Sequence, residues 1–233
     1  MTTADKEKRV ALITGATSGI GRLCAETLDG HGWRVASLGR TARRCEGQQE
    51  PSSQTIYLEA DVRDSVATDR AIKTVIETFG QLDLVVVNAG VLEVASLRSA
   101  TDEHWCRLLD TNLTGAFNTI RATLPFVTKA RGRYILMSSF AAERGLPNLG
   151  AYSAAKAGLR ALGDTLAAET ESSGVSVHTL TMGPVDTPML DIPGASDYRL
   201  SPVRIADLVL WLTDLPADVI CKELRLRNRV APG

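Results

Sequence analysis

Short runs of Val, Ile and Leu recur along this chain, separated by longer stretches in which apolar residues return at every third or fourth position. The first pattern reads as strand, the second as amphipathic helix. Seven strands are predicted, at Val10–Thr14, Arg34–Leu38, Thr55–Leu58, Leu82–Asn88, Arg133–Ser138, Val175–Thr181 and Glu223–Arg227. Helices are predicted over Gly19–Leu28, Asp64–Phe79, Asp102–Lys129, Ala151–Ser172 and Pro202–Leu212, several behind a good capping residue. Strands alternating with helices give an α/β fold, a parallel sheet covered on both faces. The last strand differs: Leu224 and Leu226 alternate with Arg225 and Arg227, so one face is apolar and the other charged. It reads as an edge strand guarded by charge, or else as an arginine-lined subunit interface or cofactor-facing rim.

Composition narrows the function classes. At 233 residues the chain suits one well-buried domain, 1–233, with a substrate loop near 187–201. Hydrophobic residues at 44% and charged residues at 23% are ordinary for a globular protein and argue against disorder. A net charge of -1 leaves no basic field, so nucleic acid is not an expected partner. The longest apolar runs fall far short of the roughly 20 residues that cross a bilayer, so no membrane span is expected. The first residues are charged with no apolar core, unlike a signal peptide, and a cytoplasmic protein is expected. Cys24, Cys45, Cys106 and Cys221 are scattered and read as reduced thiols; His31, His104 and His178 are equally dispersed, and no metal site is expected. Gly47–Ser53 and Ile192–Ser201 read as loops.

The chemistry begins directly after the first strand, at Thr14-Gly15-Ala16-Thr17-Ser18-Gly19-Ile20-Gly21, which leads into a helical pattern. Missing Cβ atoms let such a turn approach a pyrophosphate, and the helix N-terminus offers it N–H groups and positive potential. Further along stand Asp61-Val62 after the third strand, Asn88-Ala89-Gly90 after the fourth, Asn112, Ser139, and Tyr152-Ser153-Ala154-Ala155-Lys156. Tyr152 and Lys156 lie one helical turn apart on the same face. A phenol of pKa about 10 exchanges protons poorly near neutrality, and a neighbouring ammonium favours its phenolate; a shift of about three units requires on the order of 4 kcal/mol.

In its Gly-x3-Gly-x-Gly spacing and the order of these motifs, the sequence resembles the short-chain dehydrogenase/reductase family, from about Arg9 to the last strand. The resemblance implies a Rossmann-type doubly wound seven-stranded sheet and an oxidoreductase that moves hydride between a nicotinamide dinucleotide and a small alcohol or carbonyl substrate. It implies Tyr152 as general acid/base, Ser139 holding the substrate oxygen, Lys156 assisting Tyr152 and binding the nicotinamide ribose, and Asn112 fixing a water beside Lys156. Ser138 is the adjacent competitor for the serine role. Cofactor contacts are implied at Gly15, Thr17, Ser18, Gly19, Ile20, Gly21, Arg40, Asp61, Val62, Asn88, Ala89, Gly90, Tyr152 and Lys156. Asp61 would accept from the adenine amino group, or would only cap a helix. In Met182-Gly183-Pro184-Val185-Asp186-Thr187, the residues Gly183, Val185 and Thr187 would grip the nicotinamide carboxamide, with Met182 where the family usually has Pro.

A carboxylate at the end of the second strand would bind the ribose 2′-hydroxyl; this chain has Gly39 there, followed by Arg40. A guanidinium can fork onto a 2′-phosphate, so NADP(H) is expected over NAD(H), with Arg43 and Arg44 adding positive potential or standing solvated. Phe140, Glu143, Arg144, Leu146, Leu149, Met189 and Leu190 are candidates to shape the substrate pocket. Arg144 would meet a substrate carboxylate, pair with Glu143, or stand exposed. The family also implies a homodimer or homotetramer built on the helical stretches from Asp102 and Ala151. Two rival readings stand: a cofactor-binding sensor or scaffold without turnover, and a non-redox reaction on the same fold.

Overall fold

The structure, a computed structural model, describes residues 8–41, 54–190 and 198–229. Seven parallel strands form one sheet: β1 (Val10–Thr14), β2 (Arg34–Gly39), β3 (Thr55–Glu59), β4 (Leu84–Val87), β5 (Arg133–Ser139), β6 (Ser176–Met182) and β7 (Glu223–Leu226). Their order is β3-β2-β1-β4-β5-β6-β7. Among the described residues six α-helices follow the chain: α1 (Gly19–Gly30), α2 (Ser65–Phe79), α3 (Asp102–Leu109), α4 (Gly115–Ala130), α5 (Gly150–Thr170) and α6 (Pro202–Thr213).

The central strands are fully buried because both faces of the sheet are covered. Leu12, Leu38, Val85 and Leu136 pack with apolar residues of α2, α4 and α5. Ile13, Val35, Val86 and Ile135 pack on the opposite face with residues of α1 and α6. Alternate residues of each strand thus serve opposite cores, as the two-residue period of a strand requires. The chain runs from β1 outward to β2 and β3, then returns to β4 on the other side of β1. Connections diverge there, which opens a crevice beyond the carboxyl ends of the strands.

Two expectations about the elements need correcting. β4 is shorter than expected, starting at Leu84, and Asn88 lies beyond its end. The stretch expected as one helix over Asp102–Lys129 is two helices joined by a π turn at Asp110–Thr114. The cause is local: the Asn112 amide donates to the Leu108 carbonyl at 2.8 Å, the acceptor that an α-helical backbone N–H at that position would use. A polar side chain competing with the backbone is invisible to apolar periodicity.

β7 is an edge strand: Leu224 and Leu226 pack on the α1/α6 core, while Arg225 is exposed. Cys45, Arg43 and Arg44, the Gly47–Ser53 loop and residues 191–197 of the expected substrate loop lie outside the described residues.

Candidate active site

The turn from β1 into α1 is held open by its glycines. Gly15 has φ +66°, a left-handed conformation that L side chains adopt only at a cost, and a Cβ there would stand 2.9 Å from the Ala89 Cα. Ser18 precedes α1 without making a side-chain cap, so the first-turn N–H groups remain available to an anion. A Cβ on Gly21 would collide with the Gly15 carbonyl and lie 2.5 Å from Asn88 Nδ2. Gly21→Ala is therefore expected to lower the unfolding free energy by about 1–3 kcal/mol, read as a lower denaturant midpoint at unchanged slope. A wild-type midpoint would mean that the turn yields.

Asn88 ties this turn to β4. Its Nδ2 donates to the Thr14 carbonyl at 2.9 Å and to the Gly15 carbonyl at 3.3 Å. The Thr14 hydroxyl oxygen accepts from the N–H groups of Asn88 and Ala89, both at 3.0 Å. The Asn88 side chain thus fixes the glycine turn, a positioning task.

Two cavities open along the carboxyl ends of the strands. The smaller, about 210 Å³, is lined by Gly15, Thr17, Ser18, Gly19, Ile20, Gly39, Arg40, Asp61, Val62 and Asn88–Gly90 among others. Gly21 lies behind this wall, buried. The larger, about 590 Å³, is lined by Ser139, Tyr152, Lys156, Asn112, Gly183 and Val185 among others. They share Ile20, Asn88, Gly90, Thr187 and Met189, and so lie side by side.

In the smaller cavity Asp61 is already engaged. Arg63 forks onto it, with Nη2–Oδ2 at 2.6 Å and Nε–Oδ1 at 3.0 Å. That hydrogen-bonded guanidinium holds the carboxyl below its ordinary range against the opposing effect of burial, and Arg40 adds to the field. Helix capping is not its role, since Asp64 caps α2 by accepting from the Val66 and Ala67 N–H groups at 2.9 and 3.0 Å. Val62 is buried beside Gly115, and its carbonyl accepts from Asn118 Nδ2 at 2.9 Å.

The groups expected to react converge in the larger cavity. Ser139 ends β5, and its hydroxyl oxygen accepts from the Ala141 N–H at 3.2 Å. Tyr152 and Lys156 share one face of α5, with Nζ 5.7 Å from the centre of the Tyr152 ring. Burial pushes the Tyr152 phenol up, and a hydrogen bond with Ser139 opposes it. Lys156 is 6% exposed and donates to the Met137 carbonyl at 2.8 Å. Desolvation brings its ammonium down to about 8. The protein interior alone thus raises the Tyr152 pKa, opposite to the lowering a neighbouring ammonium should bring, because both groups have lost water.

Asn112 is buried and clamped: its Nδ2 donates to the Val91 carbonyl at 3.0 Å as well as to Leu108, and Oδ1 accepts from the Val91 N–H at 3.2 Å. Both amide hydrogens are committed, leaving Oδ1 one further lone pair. Among the described residues, the Ser138 hydroxyl is buried without a hydrogen-bond partner. Met182 is buried and belongs to both the α1/α6 core and the cavity wall.

All seven residues expected to shape the substrate pocket line the larger cavity. The Glu143–Arg144 pair does not form: Glu143 pairs with Arg225, and Arg160 Nη1 stands 4.0 Å from it. Tyr198, Leu92 and Arg227 line the cavity without having been singled out for it. Arg227 carried a signal, as the last charged position of the alternating strand. Among the described residues, no group of three or more His, Cys, Asp or Glu could hold a metal ion, and no helix is long and apolar enough to cross a membrane.

Comparison with known proteins supplies an independent view. A family model described as short chain dehydrogenase matches residues 9–194. An uncharacterised oxidoreductase of Staphylococcus epidermidis is 31% identical over 230 residues, covering 96% of this chain and 99% of the relative. An uncharacterised NAD-dependent oxidoreductase of Mycobacterium tuberculosis is 32% identical, covering 88% of each. Among solved structures, an alcohol dehydrogenase from Thermococcus sibiricus complexed with 5-hydroxy-NADP superposes with a TM-score of 0.89 at 31% identity, covering 97% of this chain and 99% of that one. A short chain dehydrogenase from Mycobacterium paratuberculosis bound to NAD gives 0.82 at 25% identity, covering 96% and 98%.

Proposed function

This chain belongs to the short-chain dehydrogenase family of oxidoreductases, and from that premise we propose that it interconverts a small alcohol and its carbonyl using NADP(H), with Tyr152 as general acid/base. The observation that carries the reading is the pair of adjoining cavities, a groove lined at one end by the glycine turn after β1 and at the other by Tyr152, Lys156 and Ser139.

The residues present fit an extended nicotinamide dinucleotide. A Cβ at Gly15 or Gly21 would invade the turn, and the uncapped start of α1 suits a pyrophosphate. Gly183, Val185 and Thr187 line the groove where the nicotinamide carboxamide would lie, and Lys156 would hold its ribose. The chemistry that the dinucleotide supplies when bound is hydride donation or acceptance. Tyr152 gives its phenolic proton to the substrate oxygen in reduction and takes the hydroxyl proton in oxidation, while Ser139 holds that oxygen. Lys156 lowers the energy of the phenolate by its charge, and Asn112 braces the segment around Val91 through two hydrogen bonds, tying it to α3 through a third to Leu108. We extend the proposal to one domain over the whole chain, a cytoplasmic location, and assembly as a homodimer or homotetramer. Trp105 on α3 and Phe117 on α4, 42% and 47% exposed, support the last.

NADP(H) is favoured by the second strand's end. A carboxylate side chain at Gly39 would have its Cβ 2.5 Å from Thr17 Cγ2, and Arg40 beside it lines the smaller cavity without an ion pair among the described residues. Asp61, the acid that lines the same cavity among the described residues, is neutralised by Arg63. Solved neighbours carry both kinds of dinucleotide, so the residues of this chain bear the argument. Oxidation of NADPH and NADH against a panel of ketones, quinones and keto acids tests the function. NADPH is expected to give at least about tenfold higher kcat/KM, and Arg40→Ala to reduce that ratio by about tenfold or more, as loss of a charge-assisted contact does. A tenfold preference for NADH would reverse the cofactor assignment, and cofactor binding without turnover of any carbonyl would favour the sensor reading.

A further inference from the structure

The larger cavity has more room than a reacting carbonyl needs, and much of its wall is apolar, with Leu146, Leu149, Met189 and Leu190 contributing. Among the described residues, four charged side chains line it: Lys156, Glu143, Arg144 and Arg227. Lys156 is buried at the catalytic end. The negative charge of Glu143 is already matched by Arg225 and, at 4.0 Å, by Arg160, which itself stands 3.2 Å from Glu223. Glu223 also accepts from the Thr181 hydroxyl at 2.9 Å. This network joins the segment after β5 to α5 and β7 and uses up both acids. Arg144 and Arg227 are left with no ion pair and no side-chain hydrogen bond among the described residues. Arg199, the other nearby cation, is taken by Asp186 at 3.0 Å.

The sheet sets the separation between these cations and the reacting groups. Ser139 of β5 is in register with Met182 of β6, and Met182 with Leu226 of β7, so Arg227 follows directly on a residue level with Ser139. Two strand spacings put its backbone roughly 10 Å from that of Ser139. Arg144 reaches the same cavity from the segment that follows Ser139.

We propose that the substrate of this site is an oxo acid or hydroxy acid whose carboxylate, several bonds from the reacting carbon, is held by Arg144 and Arg227 at the cavity mouth while its apolar body lies along the leucine and methionine wall. The proposal rests on the reductase reading above. Planar guanidinium forks match a carboxylate, and the apolar wall beneath them strengthens the attraction.

Levulinate and its longer oxo acid homologues, each compared with its methyl ester, test this. Wild-type enzyme is expected to prefer acid over ester by at least about tenfold in kcat/KM, mainly through KM, with the preference declining at high salt. The double variant Arg144→Gln/Arg227→Gln is expected to lose that ratio. Equal use of acid and ester, or a ratio unchanged in the double variant, would overturn the proposal. Saturation-transfer NMR of levulinate and methyl levulinate with the cofactor-free protein gives a second readout independent of turnover. If no carbonyl is reduced at all, the reductase reading fails, and tighter binding of levulinate by wild type than by the double variant still decides the anion site by itself.

Discussion

Lys156→Met is expected to abolish most activity and yet stabilise the protein. Loss of the ammonium beside Tyr152 removes what favours the phenolate, and kcat/KM for carbonyl reduction should fall by about three orders of magnitude, within the range for acid–base machinery. Stability moves the other way because Lys156 is buried and its ammonium is held at about 8 instead of its usual 10.5. A depression of this size corresponds to a penalty of about 3 kcal/mol for keeping the charge inside. Methionine has a similar length and no charge, so it removes the penalty while forfeiting the charged hydrogen bond to the Met137 carbonyl, worth about 2 kcal/mol. A net gain of about 1 kcal/mol should raise Tm by about 2–4 °C near neutral pH.

The pH dependence gives this prediction its sign. Below pH 8 both folded and unfolded chains hold the Lys156 proton, and the full burial penalty is present. Between pH 8 and 10.5 the folded chain has lost a proton that the unfolded chain still binds, so wild-type stability gains with rising pH. The advantage of Lys156→Met should therefore be greatest below pH 8 and shrink across that window. Denaturant titrations of both proteins at pH 7 and pH 10 measure it. A variant that is less stable than wild type at pH 7, or that keeps more than about a tenth of its activity, would contradict the account.

Tyr152→Phe isolates the proton itself. The ring stays, so packing in α5 is preserved, and only the hydroxyl and its bond with Ser139 are lost. Carbonyl reduction should fall by roughly 10²–10⁴-fold in kcat. NADPH affinity, measured by calorimetry, should stay within about threefold, equivalent to less than 1 kcal/mol. Stability should change by no more than about 1 kcal/mol, the value of one hydrogen bond. A variant that turns over normally would remove Tyr152 from the chemistry and transfer the proton to another group of the cavity.

The strand–helix alternation was enough to place seven strands and to require a sheet covered on both faces, because runs such as Leu84–Val87 are apolar at every position and cannot border water. The glycine spacing after β1 and the four-residue interval from Tyr152 to Lys156 were equally legible, since each is set by local backbone geometry. The tertiary structure decided matters that depend on which side chains compete for one partner. Asn112 breaks a helix that periodicity makes continuous, by taking the Leu108 carbonyl and clamping Val91, which is distant in sequence. Asp61 is bound by Arg63, and Glu143 turns from its neighbour Arg144 to Arg225 on a strand more than eighty residues away. Charge pairing depends on distance in space, which the order of residues encodes only through the fold, and so only the folded chain determines which arginines near the cavity are paired with an acid among the described residues.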